Sequence, residues 1–133
     1  MNAAQLEKSL HQFLGYRVNW DGEGARPISL KAIETARSLY FLFEDGLPVR
    51  DRELVKGFGC SALPYGGVAF SWSSHGFELE LLIQPEGAID TFYGYHLGTK
   101  QEGWRAKEGL NQLEVLKLFL QAVQDHIDCE RWE

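Results

Sequence analysis

Apolar side chains recur at helical spacing near both ends of this chain and at alternate positions in between. Leu6, Leu10 and Phe13 or Leu14 share one face of a first predicted helix. Asn2 and Gln5 have capping-box spacing at its start, and Gly15 is placed to stop it. A loop, Asn19-Trp20-Asp21-Gly22-Glu23-Gly24-Ala25-Arg26-Pro27, leads to a second helix capped by Ser29. There Ile33, Ala36, Tyr40 and Phe43 step by three and four, Leu39 and Leu42 widen the stripe, and Gly46-Leu47-Pro48 ends it.

Residues 49–66 read as irregular, charged and then glycine-rich. Beyond Gly66-Gly67 the period becomes two: Val68, Phe70 and Trp72 face one way, Ala69, Ser71 and Ser73 the other. A four-residue turn, Ser73-Ser74-His75-Gly76, would set Trp72 opposite Phe77 and Phe70 opposite Leu79 in the next strand. That strand points Phe77, Leu79, Leu81 and Ile83 inward and Glu78 and Glu80 outward. A three-residue loop, Pro85-Glu86-Gly87, then places Ile83 opposite Ile89, Leu81 opposite Thr91 and Leu79 opposite Tyr93. A two-residue loop would turn Asp90 into the core, at a cost in desolvation. Residues 97–109 read as polar, with Trp104 their one large apolar group. The last helix opens with a capping box, Asn111 and Glu114, and a staple, Leu110 and Val115. Its predicted stripe is Leu113, Leu116, Leu120, Val123 and Ile127, flanked by Phe119 and Ala122. The expectation is one α+β domain over residues 1–133, a three-stranded antiparallel sheet with helices packed on it, in the order α-α-β-β-β-α.

Length and composition suit such a domain. The chain has 133 residues, enough to bury a core, and 13% are aromatic. The net charge of −6 is lopsided: residues 1–66 carry eight basic and eight acidic side chains, residues 67–133 five and eleven. That sign disfavours direct binding to DNA or RNA, which calls for clustered Lys and Arg, and leaves room for a basic partner. Cys60 and Cys129 match no metal or redox spacing and are expected as free thiols. With no signal-like N-terminus and no apolar run of membrane-spanning length, the expected setting is the cytoplasm, with no membrane contact.

Candidate chemistry is sparse. His11, His75, His96 and His126 stand apart from one another and from cysteines, so no metal is implied. Gly57-Phe58-Gly59-Cys60-Ser61-Ala62 reads as G-x-G-x-x-A but lacks the strand before and helix after that a dinucleotide site needs. Cys60, Ser61 and Ser71 have no nucleophile context, and no cofactor is implied. Asp21 and Glu23 fall short of a cation loop, so Asn19, Trp20, Asp21, Gly22 and Gly24 are read as a structural loop: Trp20 folds inward, Asp21 accepts backbone N–H bonds, and the glycines take positive φ. Glu78, Glu80, Leu82, Asp90 and Phe92 are expected on the outer sheet face, where large apolar groups among carboxylates suit a protein partner. Residues 125–133, with four acids and Trp132, read as a frayed helix end or an acidic docking tail.

The segment Asn19-Trp20-Asp21-Gly22-Glu23-Gly24-Ala25, with Pro27-Ile28 after it, resembles a loop shared by small, mostly uncharacterised bacterial proteins, N-W-D-G-x-G-A-x-P-I. As in those proteins, a Gly-Gly-hydrophobic strand ending in Trp follows (Gly66 to Trp72), then a Pro-acid-Gly turn (Pro85-Glu86-Gly87). The resemblance spans about residues 16–96. It implies an accessory, antitoxin-like or immunity-like binding protein and carries over no catalytic residue. Two other readings stand beside it: a small-molecule-binding or catalytic domain with a site where the 19–25 and 57–62 loops meet, and a secretion-chaperone-like dimer, suggested by small size, low pI and the amphipathic last helix.

Overall fold

The computed structural model of the chain describes residues 1–47, 55–74 and 76–131. Helices α1 (Ala3–Leu14) and α2 (Leu30–Gly46) precede five strands, and helix α3 (Gln112–Arg131) follows them. The strands are β1 (Gly59–Ala62), β2 (Val68–Ser74), β3 (Phe77–Ile83), β4 (Ile89–Tyr95) and β5 (Gly103–Leu110). They form one antiparallel sheet in sequential order. The class is α+β, but the expected three-stranded sheet is corrected to five strands. Both additions, β1 and β5, are edge strands taken from stretches read as irregular or polar. Each has few apolar side chains because an edge strand buries little of itself. Pro48 and, of the stretch read as irregular, residues 49–54 lie outside the described residues, as do His75, Trp132 and Glu133.

Capping starts each helix where the polar pattern places it. Asn2 Oδ1 accepts from the Gln5 N–H at 2.9 Å while the Asn2 N–H donates to Gln5 Oε1 at 2.8 Å. The Asn111 and Glu114 pair does the same for α3, at 2.9 and 3.1 Å. Ser29 Oγ accepts from the Ala32 N–H and donates to the Pro85 carbonyl, tying the start of α2 to the β3–β4 turn. Gly15 does end α1, but with φ at −84° and not in a left-handed cap. Leu47, held extended as the residue before a proline, ends α2.

The β3–β4 register is as expected: Ile83 faces Ile89, Leu81 Thr91 and Leu79 Tyr93. Its turn closes through Gly87 N–H to the Gln84 carbonyl, with Gly87 at φ +97°. The β2–β3 register is corrected. Ser74 pairs with Phe77, so only residues 75 and 76 connect the strands, and Trp72 faces Leu79 while Phe70 faces Leu81. Gly76, at φ +70°, permits the tighter turn. The slip is two residues, an even number, so every side chain keeps its face. At the start of β2, a Cβ on Gly67 would lie 2.3 Å from the Ile83 carbonyl oxygen. Only glycine lets the two backbones approach so closely there.

Among the described residues, α1 packs over β1, α2 over β2 and β3, and α3 over β3 and β4, all on one face of the sheet. Between the layers, Phe43 stacks on Phe119 with centroids 4.8 Å apart, and Phe58 stands edge-on to both. Each such side chain contributes about 2–3 kcal/mol by leaving water. The buried face of α3 is Val115, Phe119, Ala122 and Val123. Of the predicted stripe and its flanks, Val123, Phe119 and Ala122 are buried and Leu116 packs partly against the core, whereas Leu113 and Leu120 are corrected to exposed positions, at 64% and 41%; the side chain of Ile127 lies outside the described residues. The helix has more apolar positions than one face can bury, and the Phe43–Phe58 cluster selects the face that carries Phe119.

Candidate partner-binding face of the sheet

With the helices on one side, no described helix packs on the other side of the sheet, and strand pairing orders its side chains into rows. One row runs Ser61, Ala69, Leu82, Asp90, and the next Gly59, Ser71, Glu80, Phe92, Ala106. A third runs Ser73, Glu78, Gly94, Trp104. Glu78, Glu80, Leu82, Asp90 and Phe92 therefore do lie together on the outer face. The alternation that places them is visible in β3, where buried and exposed residues alternate from Phe77 to Glu80.

Asp90 plays a different part from the two glutamates. Its Oδ1 accepts from the Gly109 N–H at 2.9 Å and its Oδ2 from Gln84 Nε2 at 2.7 Å. The first bond bridges the register irregularity between β4 and β5, where Ile89 pairs with Leu110 but Thr91 with Lys107. Asp90 is thus a brace as well as a surface charge, whereas Glu78 and Glu80 are exposed. Those two carboxylates wall a shallow depression of about 400 Å³ with Ser71, Ser73, Gly57 and Gly59. The depression lies where β1 begins only at Gly59, opposite Ser71, so that among the described residues no strand pairs with the end of β2 beyond Ser71 on that side.

Trp104 belongs to this face and was not singled out as part of it from the sequence. It is 56% exposed, its indole N–H donates to Glu102 Oε1 at 3.0 Å, and its ring lies across Gly94. A Cβ on Gly94 would come within 2.8 Å of that ring and of Leu97. The signal available was the alternation of Trp104 and Ala106 with Arg105 and Lys107, once the segment is read as a strand. Tyr65, before β2, stands close enough to feel the acidic field. Burial chiefly, with the charges of Asp90, Glu80 and Glu86, raises its phenol pKa against a hydrogen bond with Gln84 that lowers it.

The Asn19–Gly24 loop is closed on itself. Asp21 Oδ1 accepts from the N–H groups of Glu23 and Ala25 at 2.8 and 3.0 Å, and Asn19 Oδ1 from Gly24 at 2.6 Å. Asn19, Gly22 and Gly24 all take positive φ. Trp20 stacks on Tyr16 at 4.7 Å and donates its indole N–H to the Arg26 carbonyl at 2.7 Å. Arg26 and Ser29 N–H groups then bond the carbonyls of Pro64 and Gly66, joining the loop to the approach of β2. The 57–62 segment, by contrast, runs into β1, and the depression that Gly57 and Gly59 line draws its other walls from β2 and β3. Cys60 is a free thiol on the inner side of β1, and burial pushes its pKa up to about 12. Burial thus favours the protonated thiol at neutral pH.

Among the described residues, no group of three or more His, Cys, Asp or Glu side chains is placed to hold a metal ion. No described helix is long and apolar enough to cross a membrane. Comparison with protein-family models, curated proteins and solved structures finds no match to this chain.

Proposed function

We propose that this chain is a non-enzymatic protein-binding domain that receives a basic partner on the open face of its sheet. The observation that carries the reading is the set of rows themselves. Phe92, Leu82 and the exposed Trp104 are spaced among Glu78, Glu80 and Asp90 on a face that no described helix covers. Apolar anchors amid charges of one sign give a partner both a hydrophobic gain and an electrostatic address. A Lys or Arg of the partner would enter the depression beside Glu78 and Glu80, while apolar side chains settle on Phe92 and Trp104. The protonated state of Cys60 and the self-contained bonding of the Asn19–Gly24 loop favour binding over catalysis. With its acidic second half and its resemblance to antitoxin-like and immunity-like proteins, the chain suits a cytoplasmic inhibitor that matches a basic toxin surface by charge.

The test uses Glu78→Lys with Glu80→Lys, leaving the bracing Asp90 intact. A protein recovered stoichiometrically from host lysate on the native chain is purified, and its association rate is measured against both forms. Association slowed about tenfold at low salt, with the difference shrinking as salt rises, supports the reading. A rate that is equal for both forms at every salt concentration refutes it.

A further inference from the structure

The helical layer is offset from the sheet. Among the described residues no helix packs extensively on β5, so the inner side of that strand is open as well as its edge. Arg105 and Lys107, which pair with Tyr93 and Thr91, fall on this inner side, and both are exposed. Between β5 and α3 runs a groove of about 370 Å³, lined by Lys107, Leu110, Glu114, Lys117, Leu118 and Gln121. Leu110 and Leu118 give it an apolar floor. Arg105, Lys107 and Lys117 are three of only five basic residues in the acidic second half of the chain. A basic strip therefore stands on the side of the sheet opposite the carboxylate face.

β5 is eight residues long, twice the length of β1 at the other edge. An edge strand turns alternate N–H and C=O groups outward, and an extended peptide can satisfy them by joining the sheet. Side chains of the added strand on the inner side would stand opposite Arg105 and Lys107, within cross-strand range. A second copy is a poor occupant. Two-fold pairing of β5 with itself, centred anywhere on residues 105 to 107, sets Arg105 or Lys107 against a like charge, which destabilises a strand pair. Carboxylates at alternate positions meet both cations instead, and an apolar side chain two positions further on reaches Leu110 and Leu118.

We propose that the β5 edge and the groove beside α3 bind an extended acidic segment of another protein as a sixth strand of the sheet. This surface is separate from the carboxylate face, so the two can fail independently. The probes are fluorescein-labelled peptides of about nine residues: one with Glu and Val alternating, one with Lys in place of Glu, and the Glu peptide with alternate backbone nitrogens methylated. Anisotropy is measured with the full chain, and amide shifts are mapped by NMR.

The Glu peptide is expected to bind at least about tenfold tighter than the Lys peptide, since two matched charges become two repulsive ones. Its shifts should fall on residues 103–110 and on α3 near Lys117 and Gln121. Methylation should abolish binding, R105E/K107E should invert the charge preference, and the milder R105Q/K107Q should remove it. E78K/E80K should leave the Glu peptide's affinity unchanged. Equal affinity for Glu and Lys peptides, no Glu-peptide binding up to about 1 mM, or undiminished binding of the methylated peptide would each overturn the proposal. So would shifts centred on residues 78–82.

Discussion

Replacing Asp21 by Ala tests whether the most distinctive loop of the chain is architecture. One carboxylate oxygen, Oδ1, accepts the N–H groups of both Glu23 and Ala25. Glu23 is exposed, so water can replace much of its bond, and the loss there is about 0.5 kcal/mol. Ala25 is 2% exposed, and its N–H would be left largely unpaired, costing about 1.5 kcal/mol. Asp21→Ala should therefore destabilise the fold by about 2 kcal/mol. Asp21→Asn, which keeps an acceptor without the charge, should cost about half as much. In urea, with a slope near 1.5 kcal/mol per molar for a chain this size, the Ala variant's midpoint should fall by about 1.3 M with the slope unchanged. The assay is equilibrium unfolding followed by circular dichroism. A loss below about 0.5 kcal/mol for Asp21→Ala would refute the structural account, and would make the loop's acidic group available for a ligand instead.

Four further outcomes follow from other sites. Thr91 is 1% exposed and its hydroxyl has no hydrogen-bond partner among the described residues, so Thr91→Val should be neutral or stabilise by about 1 kcal/mol in the same unfolding assay. Gly67→Ala should cost about 3 kcal/mol or more, or prevent folding, because the new Cβ meets the backbone oxygen of Ile83; circular dichroism reads this directly. Iodoacetamide at pH 8 should leave Cys60 largely unmodified in the native chain and alkylate it promptly in urea, as peptide mass spectrometry would report, since burial holds its pKa at about 12. The Arg37 hydrogen bond holds the Glu7 carboxyl below its usual 4.5. The stability it adds is present above that value and lost as pH falls through the lower, folded one. Both partners are more than one-third exposed, so Glu7→Gln should remove no more than about 0.5 kcal/mol at pH 7 and nothing at pH 2, by urea midpoints at the two pH values.

The outer face was legible because β3 and β4 obey a strict two-residue period, which places Glu78, Glu80, Leu82, Asp90 and Phe92 together without any tertiary information. What that period could not reveal was the bracing of Asp90, since its partners Gln84 and Gly109 lie six and nineteen residues away. Trp104 went unassigned for a related reason. Its strand has hydrophilic neighbours on both sides, as an edge strand does, so alternation carries no contrast between core and solvent. In the α3 stripe it was a surplus of apolar positions that misplaced Leu113 and Leu120. Leu113, Leu116 and Leu120 satisfy helical spacing as well as Val115, Phe119 and Val123 do, yet only Leu116 of the first three packs against the core, and the position of Phe43 and Phe58 across the layer turns Leu113 and Leu120 to solvent.

By itself, then, the amino-acid order determined whatever is settled by neighbours within a few residues. That includes the caps at Asn2, Ser29 and Asn111, the Asp21 loop, the Pro85–Gly87 turn, and the inward and outward faces of β2 to β4. These rest on local hydrogen bonds and on backbone preferences carried by individual residues. Tertiary structure decided the rest: five strands in place of three, the rotation of α3, and the offset that leaves β5 and the groove beside it without a helix packed over them among the described residues. Each of those depends on which distant surfaces compete for the same burial, and burial is a property of the assembled layers, not of any one segment.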